Sequence, residues 1–260
     1  MSGRRFISDL TDAHAKGYIA KVPHFNSISN YLEMPELTPV LVSLIMESSL
    51  PLKAVETDFA VDSTGFGSSR LTNWYSTKYG DVLDQRDWVK AHVCCGVKTN
   101  IVTAIRVTER SAHDAPFLPE LVMATSKNFT IAEVSADKGY SSHANTDAIG
   151  ALGATPYLAF KRNAQSETMG RSKRVKDTLW TRMYHLYSFQ REEFLAHYHK
   201  RSNVETTFMA IKAKFGDAIR SRTFVAQRNE VFCKVLCHNI CCVIQSMHEM
   251  GIDPRFGSAA

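Results

Sequence analysis

The chain has 260 residues, 44% of them hydrophobic, and a formal net charge of +5. That allows one main core with appendages, and overall charge alone selects no polyanionic partner. No run reads as long and apolar enough to span a bilayer. "MSGRRFISDL" lacks the apolar core of a secretory signal, and the six cysteines fit neither a disulfide framework nor a paired CxxC zinc site. A reducing cytoplasm is the simplest compartment.

Residues 1–51 read as a helical N-terminal segment. "FNSISNYLEMPELTPVLVSLIMESS" shows a serine-capped start, a break at Pro35 and then an apolar helix. From Leu52 the period becomes that of strands. In "AVETDFAVDSTGF", Val55, Thr57, Phe59 and Val61 share one face, and Glu56, Asp58, Ala60 and Asp62 share the other. "STGFG" should end this strand in a turn. "WVKAHVCCGVKTN" puts Val89, Ala91, Val93, Cys95 and Val97 on one face, and "IVTAIRVTE" follows, completing an antiparallel meander. Next come a helix over "DAPFLPELVMATSK", a strand "IAEVSAD", a helix from about His143 to Leu152, and a strand "ATPYLAFK". Strand–helix–strand–helix–strand order implies a parallel extension of the meander. The fold class is therefore α/β: a mixed five-stranded sheet, three antiparallel strands plus two parallel, flanked by helices. Residues 52–251 form this unit, with a basic insertion at about 162–187 and a tail at 252–260. A last apolar helix runs from Ala226 to Met250.

Charge is concentrated where the order is interrupted. Lys161, Arg162, Arg171, Lys173, Arg174, Lys176 and Arg182 face only Glu167 and Asp177. A second cluster is Lys200, Arg201, Lys212, Lys214, Arg220 and Arg222. Concentrated positive charge beside carboxylates favours a nucleic-acid substrate. "HYHKRSNVETTFMAIKAKFG", residues 197–216, reads as one amphipathic helix. At about 100° per residue, Tyr198, Arg201, Glu205 and Lys212 fall within roughly a 60° stripe. A carboxylate between cations suits a metal ligand flanked by phosphate-binding groups.

The first and fourth strands should be neighbours, and Asp62 and Asp137 sit where each is expected to end. Two adjacent carboxylates repel unless a cation holds them, and oxygen-only ligation favours magnesium or manganese. Glu205 can supply a third carboxylate, and three can hold two ions around a phosphodiester. Asp58 competes with Asp62 on the same strand face. Plain alternatives are a turn former for Asp62 and a helix cap for Asp137.

Three motifs, "VDSTGF", "SADKGYSS" and "YHKRSNVETTFMAIK", give the chain a clear resemblance. It resembles a DDE transposase of bacterial insertion sequences, with a ribonuclease-H-like catalytic fold, over roughly Leu52 to Gly251. Tyr198, Arg201, Glu205 and Lys212 reproduce the Tyr-Arg-Glu-Lys signature of one group of these enzymes without a gap. The resemblance implies that Asp62, Asp137 and Glu205 are the catalytic, metal-binding triad, with two Mg2+ or Mn2+ ions. It implies that Arg201 and Lys212 contact phosphates near the scissile bond and that Tyr198 packs beside them. Arg171, Lys173, Arg174 and Lys176 lie where such enzymes carry a DNA-holding insertion. The implied partners are double-stranded DNA, as terminal inverted repeats and target, and a second copy of the chain. Relatives usually have a longer region before the first Asp, which leaves truncation or an internal start open. The alternatives to a transposase are a DNA-binding remnant without catalysis and a simple metal-dependent nuclease.

Other residues have plainer readings. Cys233, Cys237 and Cys241 look like a buried helical stripe rather than a zinc site. Asp114, after His113, looks like an N-cap. Trp74, Trp88 and Trp180 look like packing residues, although Trp180 lies in the basic insertion.

Overall fold

The computed structural model describes residues 3–68, 88–169 and 174–254. Helices α1 (Gly3–Ala15), α2 (Ser27–Glu33) and α3 (Leu37–Ser49) precede β1 (Asp58–Ser68). Then follow β2 (Trp88–Gly96), β3 (Val102–Glu109), α4 (Leu118–Ser126), β4 (Glu133–Ala136), α5 (His143–Gly150) and β5 (Thr155–Leu158). The insertion holds a two-stranded hairpin, β6 (Thr168–Met169) and β7 (Arg174–Val175), then α6 (Leu179–Phe189) and α7 (Arg191–Tyr198). A 3-10 turn (His199–Arg201), α8 (Ser202–Phe215), β8 (Ala218–Ile219) and α9 (Phe224–Met250) complete the chain.

The main sheet runs β3-β2-β1-β4-β5. β1 pairs antiparallel with β2 and parallel with β4, which pairs parallel with β5. The meander with its parallel extension is thus the observed order. A sixth strand, β8, pairs parallel with the far end of β1. Its two residues are too few to leave a period in the sequence.

β1 does not end after Asp62. It continues through Ser68, paired with β2 from Phe59↔Gly96 to Gly67↔Trp88. The glycine in "STGFG" serves a close approach and not a turn: a Cβ on Gly65 would lie 2.8 Å from Trp88 Cε3. A strand glycine of this kind mimics a breaker in sequence.

Strand alternation decides which side chains go where. Phe59 and Val61 pack on one face with Leu118, Leu121 and Val122 of α4 and Ile149 of α5. Ala60 and Phe66 pack on the other with α3 (Leu41, Ile45), α8 (Val204, Phe208, Ile211) and α9 (Val231, Val235). Each such side chain fully buried contributes roughly 1.5–3 kcal/mol relative to exposure. Asn26, not a serine, occupies the N-cap of α2, and its side chain makes no capping bond. Thr223 does cap α9, accepting from Ala226 N at 3.3 Å.

By length and composition alone α9 could cross a bilayer, contrary to the expectation that no run is apolar enough. Half of its apolar window is buried against the sheet and α3, as in the core helix of a globular domain. The cysteine stripe is a further correction. Cys237 is exposed and Cys233 and Cys241 are half-buried on the outer side of α9, while Cys242 is buried.

Candidate active site

The segment read as one helix is two helices with a tight turn between them. α7 ends at Tyr198, residues His199–Arg201 form the 3-10 turn, and α8 begins at Ser202. Gly216, at φ 83°, stops α8 and lets the chain turn into β8. The turn tilts the stripe onto the sheet face that carries Asp58, Asp62 and Thr64.

Asp62 lies within β1, one residue beyond the last registered pair with β4, Val61↔Ala136. Asp137 directly follows that same pair on the other strand, so the two acids sit side by side where β4 ends. Asp62 Oδ1 accepts from Ser63 N at 2.8 Å, and Oδ2 accepts from Arg201 Nη1 at 3.1 Å. Arg201 Nη2 donates to Glu205 Oε1 at 2.8 Å. One guanidinium therefore bridges Asp62 and Glu205. It also lies 6.0 Å from the Tyr198 ring. Asp137 accepts from Gly139 N and caps the short 3-10 turn Lys138–Tyr140, the local role weighed for it above.

Burial raises the pKa of Asp62 above the usual carboxylate value, against the lowering effects of Ser63 N–H and Arg201. The Asp137 and Glu205 charges raise it further. The Asp137 and Glu205 charges thus reach Asp62, and the Ser63 N–H and Arg201 offset them. Lys212 lies further along the same face, donating to Thr64 Oγ1 at 2.7 Å, with Nζ 5.4 Å from the Phe66 ring centre. Burial lowers its pKa.

Behind Asp62, on the opposite face of β1, Ser63 Oγ donates to Asp114 Oδ1 at 3.0 Å, and Lys90 lies 3.1 Å from the same oxygen. Asp114 stands at the N-cap position of the short 3-10 turn Ala115–Phe117, as expected, but its side chain makes no capping bond and its partners are on β1 and β2. His92, fully buried, lies 3.5 Å from Asp114, and burial pushes its pKa down to about 4. Tyr140 is also buried there, and burial with the Asp62 and Asp114 charges pushes its phenol up. Lys90, His92 and Tyr140 carry no local spacing signal, since their partners come from distant parts of the chain.

In the insertion, Lys176 is exposed, and Arg174 is on β7. Arg171, Lys173 and Trp74 lie outside the described residues. Trp180 is buried, and its Nε1 donates to Gln165 O at 2.9 Å. That is the packing role expected of it.

Among the described residues, no three His, Cys, Asp or Glu side chains are already arranged to hold a metal ion. For the three acids the reason is visible: Arg201 stands between Asp62 and Glu205. The donor set nevertheless fits a hard divalent cation in kind, being all carboxylate, with one acid of raised pKa. A family model described as a transposase DDE domain matches residues 53–240. No curated protein matches the chain.

Proposed function

The chain belongs to the DDE transposase family, and from that premise we propose that it cuts DNA at transposon ends and joins them to target DNA. The bridging of Asp62 and Glu205 by Arg201, with Asp137 alongside, carries this reading. Asp62, Asp137 and Glu205 would hold the divalent ion or ion pair, Mg2+ or Mn2+. Such an ion supplies charge neutralisation and an activated attacking oxygen at a phosphodiester. Arg201, once released from the acids, is placed to pair with phosphate through its planar fork. Lys212, desolvated by burial and hydrogen-bonded to Thr64, offers a second cation for phosphate a turn or two along α8. Tyr198 limits where the Arg201 side chain can swing. The exposed cations at and within the insertion, Lys161, Arg162 and Lys176 among them, would track the DNA backbone. We propose the DNA-bound unit to be a homodimer acting in the cytoplasm of a bacterial host, within an element of the insertion-sequence kind.

The test uses purified protein, labelled element ends and a plasmid target with Mg2+. Joined product is the expected result. Nicking without joining would leave a metal nuclease, and binding alone would leave a DNA-binding remnant. Asp62→Asn, Asp137→Asn and Glu205→Gln should each reduce cutting by about 10³-fold or more. Wild-type rates in any one of them would remove that residue from the triad.

A further inference from the structure

The residue beside Arg201 makes a second, separate anchor. Lys200 Nζ donates to Asp58 Oδ2 at 2.8 Å and lies 2.6 Å from Glu133 Oε1. His197 Nδ1 lies 2.6 Å from Glu133 Oε2. The His197 ring also stacks on Tyr157 of β5, with centroids 4.5 Å apart and planes within 5°. Asp58 and Glu133 are directly opposite one another on β1 and β4. Lys200 therefore ties the His199–Arg201 turn to two strands, and His197 ties the end of α7 to a third. The Glu133 side chain is only 10% exposed and that of Asp58 20%, whereas Glu205 is 55% exposed. Asp62 is as sheltered as Asp58, so the anchors differ in their second carboxylate, buried Glu133 against exposed Glu205.

We propose that Lys200 is a positioning residue. With Asp58, Glu133 and His197 it holds the turn, and so the start of α8, on the sheet when Arg201 lets go of Asp62 and Glu205. This rests on the function proposed above, in which a divalent ion takes those two carboxylates. Both carboxylate bonds of Arg201 are to groups that the ion would claim. Their loss would remove the tether between the turn and β1 at Asp62. Asp58 lies four residues earlier on the same strand face, roughly 13 Å away at 3.3 Å per residue, too far for an ion at Asp62 to disturb. The adjacent cations thus divide the work: Lys200 stays, and Arg201 is free to move to phosphate. Glu205, on the first turn of α8, keeps its place relative to Asp62 because Lys200 does.

The test compares Lys200→Met, which keeps the stem without the charge, with Lys200→Arg and with Glu133→Gln. Hydrogen exchange over residues 199–206 is followed by mass spectrometry with and without Mn2+, alongside DNA affinity and nicking rate. Without ion, Lys200→Met should exchange like wild type, because Arg201 still holds the turn. With ion, it should exchange about 5-fold or more faster, with nicking slowed about 10-fold, affinity within about 3-fold and rescue by Lys200→Arg. Glu133→Gln should change in the same direction and covers the case in which Lys200→Met does not fold. Exchange in these variants that the ion does not alter would overturn the proposal. If the variants show this ion-dependent exchange but the wild-type protein never cuts DNA, the strand-cutting function is overturned and the anchor is left standing.

Discussion

Asp62 carries an electrostatic cost that its own amide would relieve. Its pKa is raised in the fold, first by burial, so the favourable contribution of its protonated form is complete below the unfolded value of 3.8. That contribution is lost as pH rises through the folded value. At neutral pH without a divalent ion, the ionised side chain is therefore a liability. Asp62→Asn should raise Tm by about 2 °C at pH 7 in chelator, with no gain at pH 3.5, as followed by circular dichroism. His92 has the opposite sign. Its folded pKa is depressed to about 4, so its neutral form stabilises the protein fully above 6.5, and that contribution fades as pH falls toward 4. The loss can reach about 3 kcal/mol for so buried a ring, and His92→Gln should flatten the urea-stability profile over that window. At this scale the sequence shows which residues carry chemistry better than it shows their partners. The Tyr198, Arg201, Glu205 and Lys212 spacing is local and could be read directly. Lys200 with Asp58, and Lys212 with Thr64, bring together residues more than a hundred positions apart. No local pattern records such a pairing.

At the scale of elements, the core is tied across layers by one buried amide. Asn239 of α9 accepts from Val102 N at 2.9 Å and donates to Val102 O at 2.8 Å. It also donates to Ile45 O and Ser48 Oγ of α3. Asn239→Leu keeps the approximate volume but strips Val102 N–H and C=O of their Asn239 partner away from water, while Ser48 Oγ still donates to Ile45 O. It should cost about 3 kcal/mol or more in urea unfolding, since each stranded polar group costs about 1–3 kcal/mol. Gly96→Ala belongs to the same scale. Its Cβ would sit 2.3 Å from the carboxyl carbon of Glu56, which accepts from Thr99 N, Thr99 Oγ1 and Lys98 N around the β2–β3 turn. That substitution should also lower the urea midpoint. Period-2 alternation made the meander and its buried faces legible, because each strand has one side against each helical layer. Two boundaries were misread for physical reasons. A glycine placed for an indole looked like a turn, and a one-turn 3-10 break keeps enough helical period to look like continuous helix.

For the whole molecule, the decisive feature is where positive charge lies relative to the acids, not the net value of +5. Arg201 and Lys212 are half-buried on the sheet face beside Asp62, whereas Lys161, Arg162 and Lys176 stand exposed on the insertion. Cations in these two settings should fail differently. On the proposed function, changing Arg171, Lys173, Arg174 and Lys176 together to alanine removes diffuse phosphate contacts. Affinity should fall for every DNA sequence, and the slope of log K against log salt should become shallower by up to about 0.9 per lost contact. On the proposed function, Arg201→Ala or Lys212→Ala removes a cation placed near the reacting phosphate. These variants should bind within about 3-fold of wild type yet cut about 10²-fold more slowly, because charge stabilisation there acts mainly in the transition state. Filter binding across a salt series and single-turnover cleavage separate the two. If the fourfold variant kept both affinity and slope, the insertion would lose its DNA-binding role, and the triad would be untouched. If Arg201→Ala weakened binding and cutting in equal proportion, its contact would be a ground-state one, and the placement of the scissile phosphate beside Asp62 would have to be redrawn.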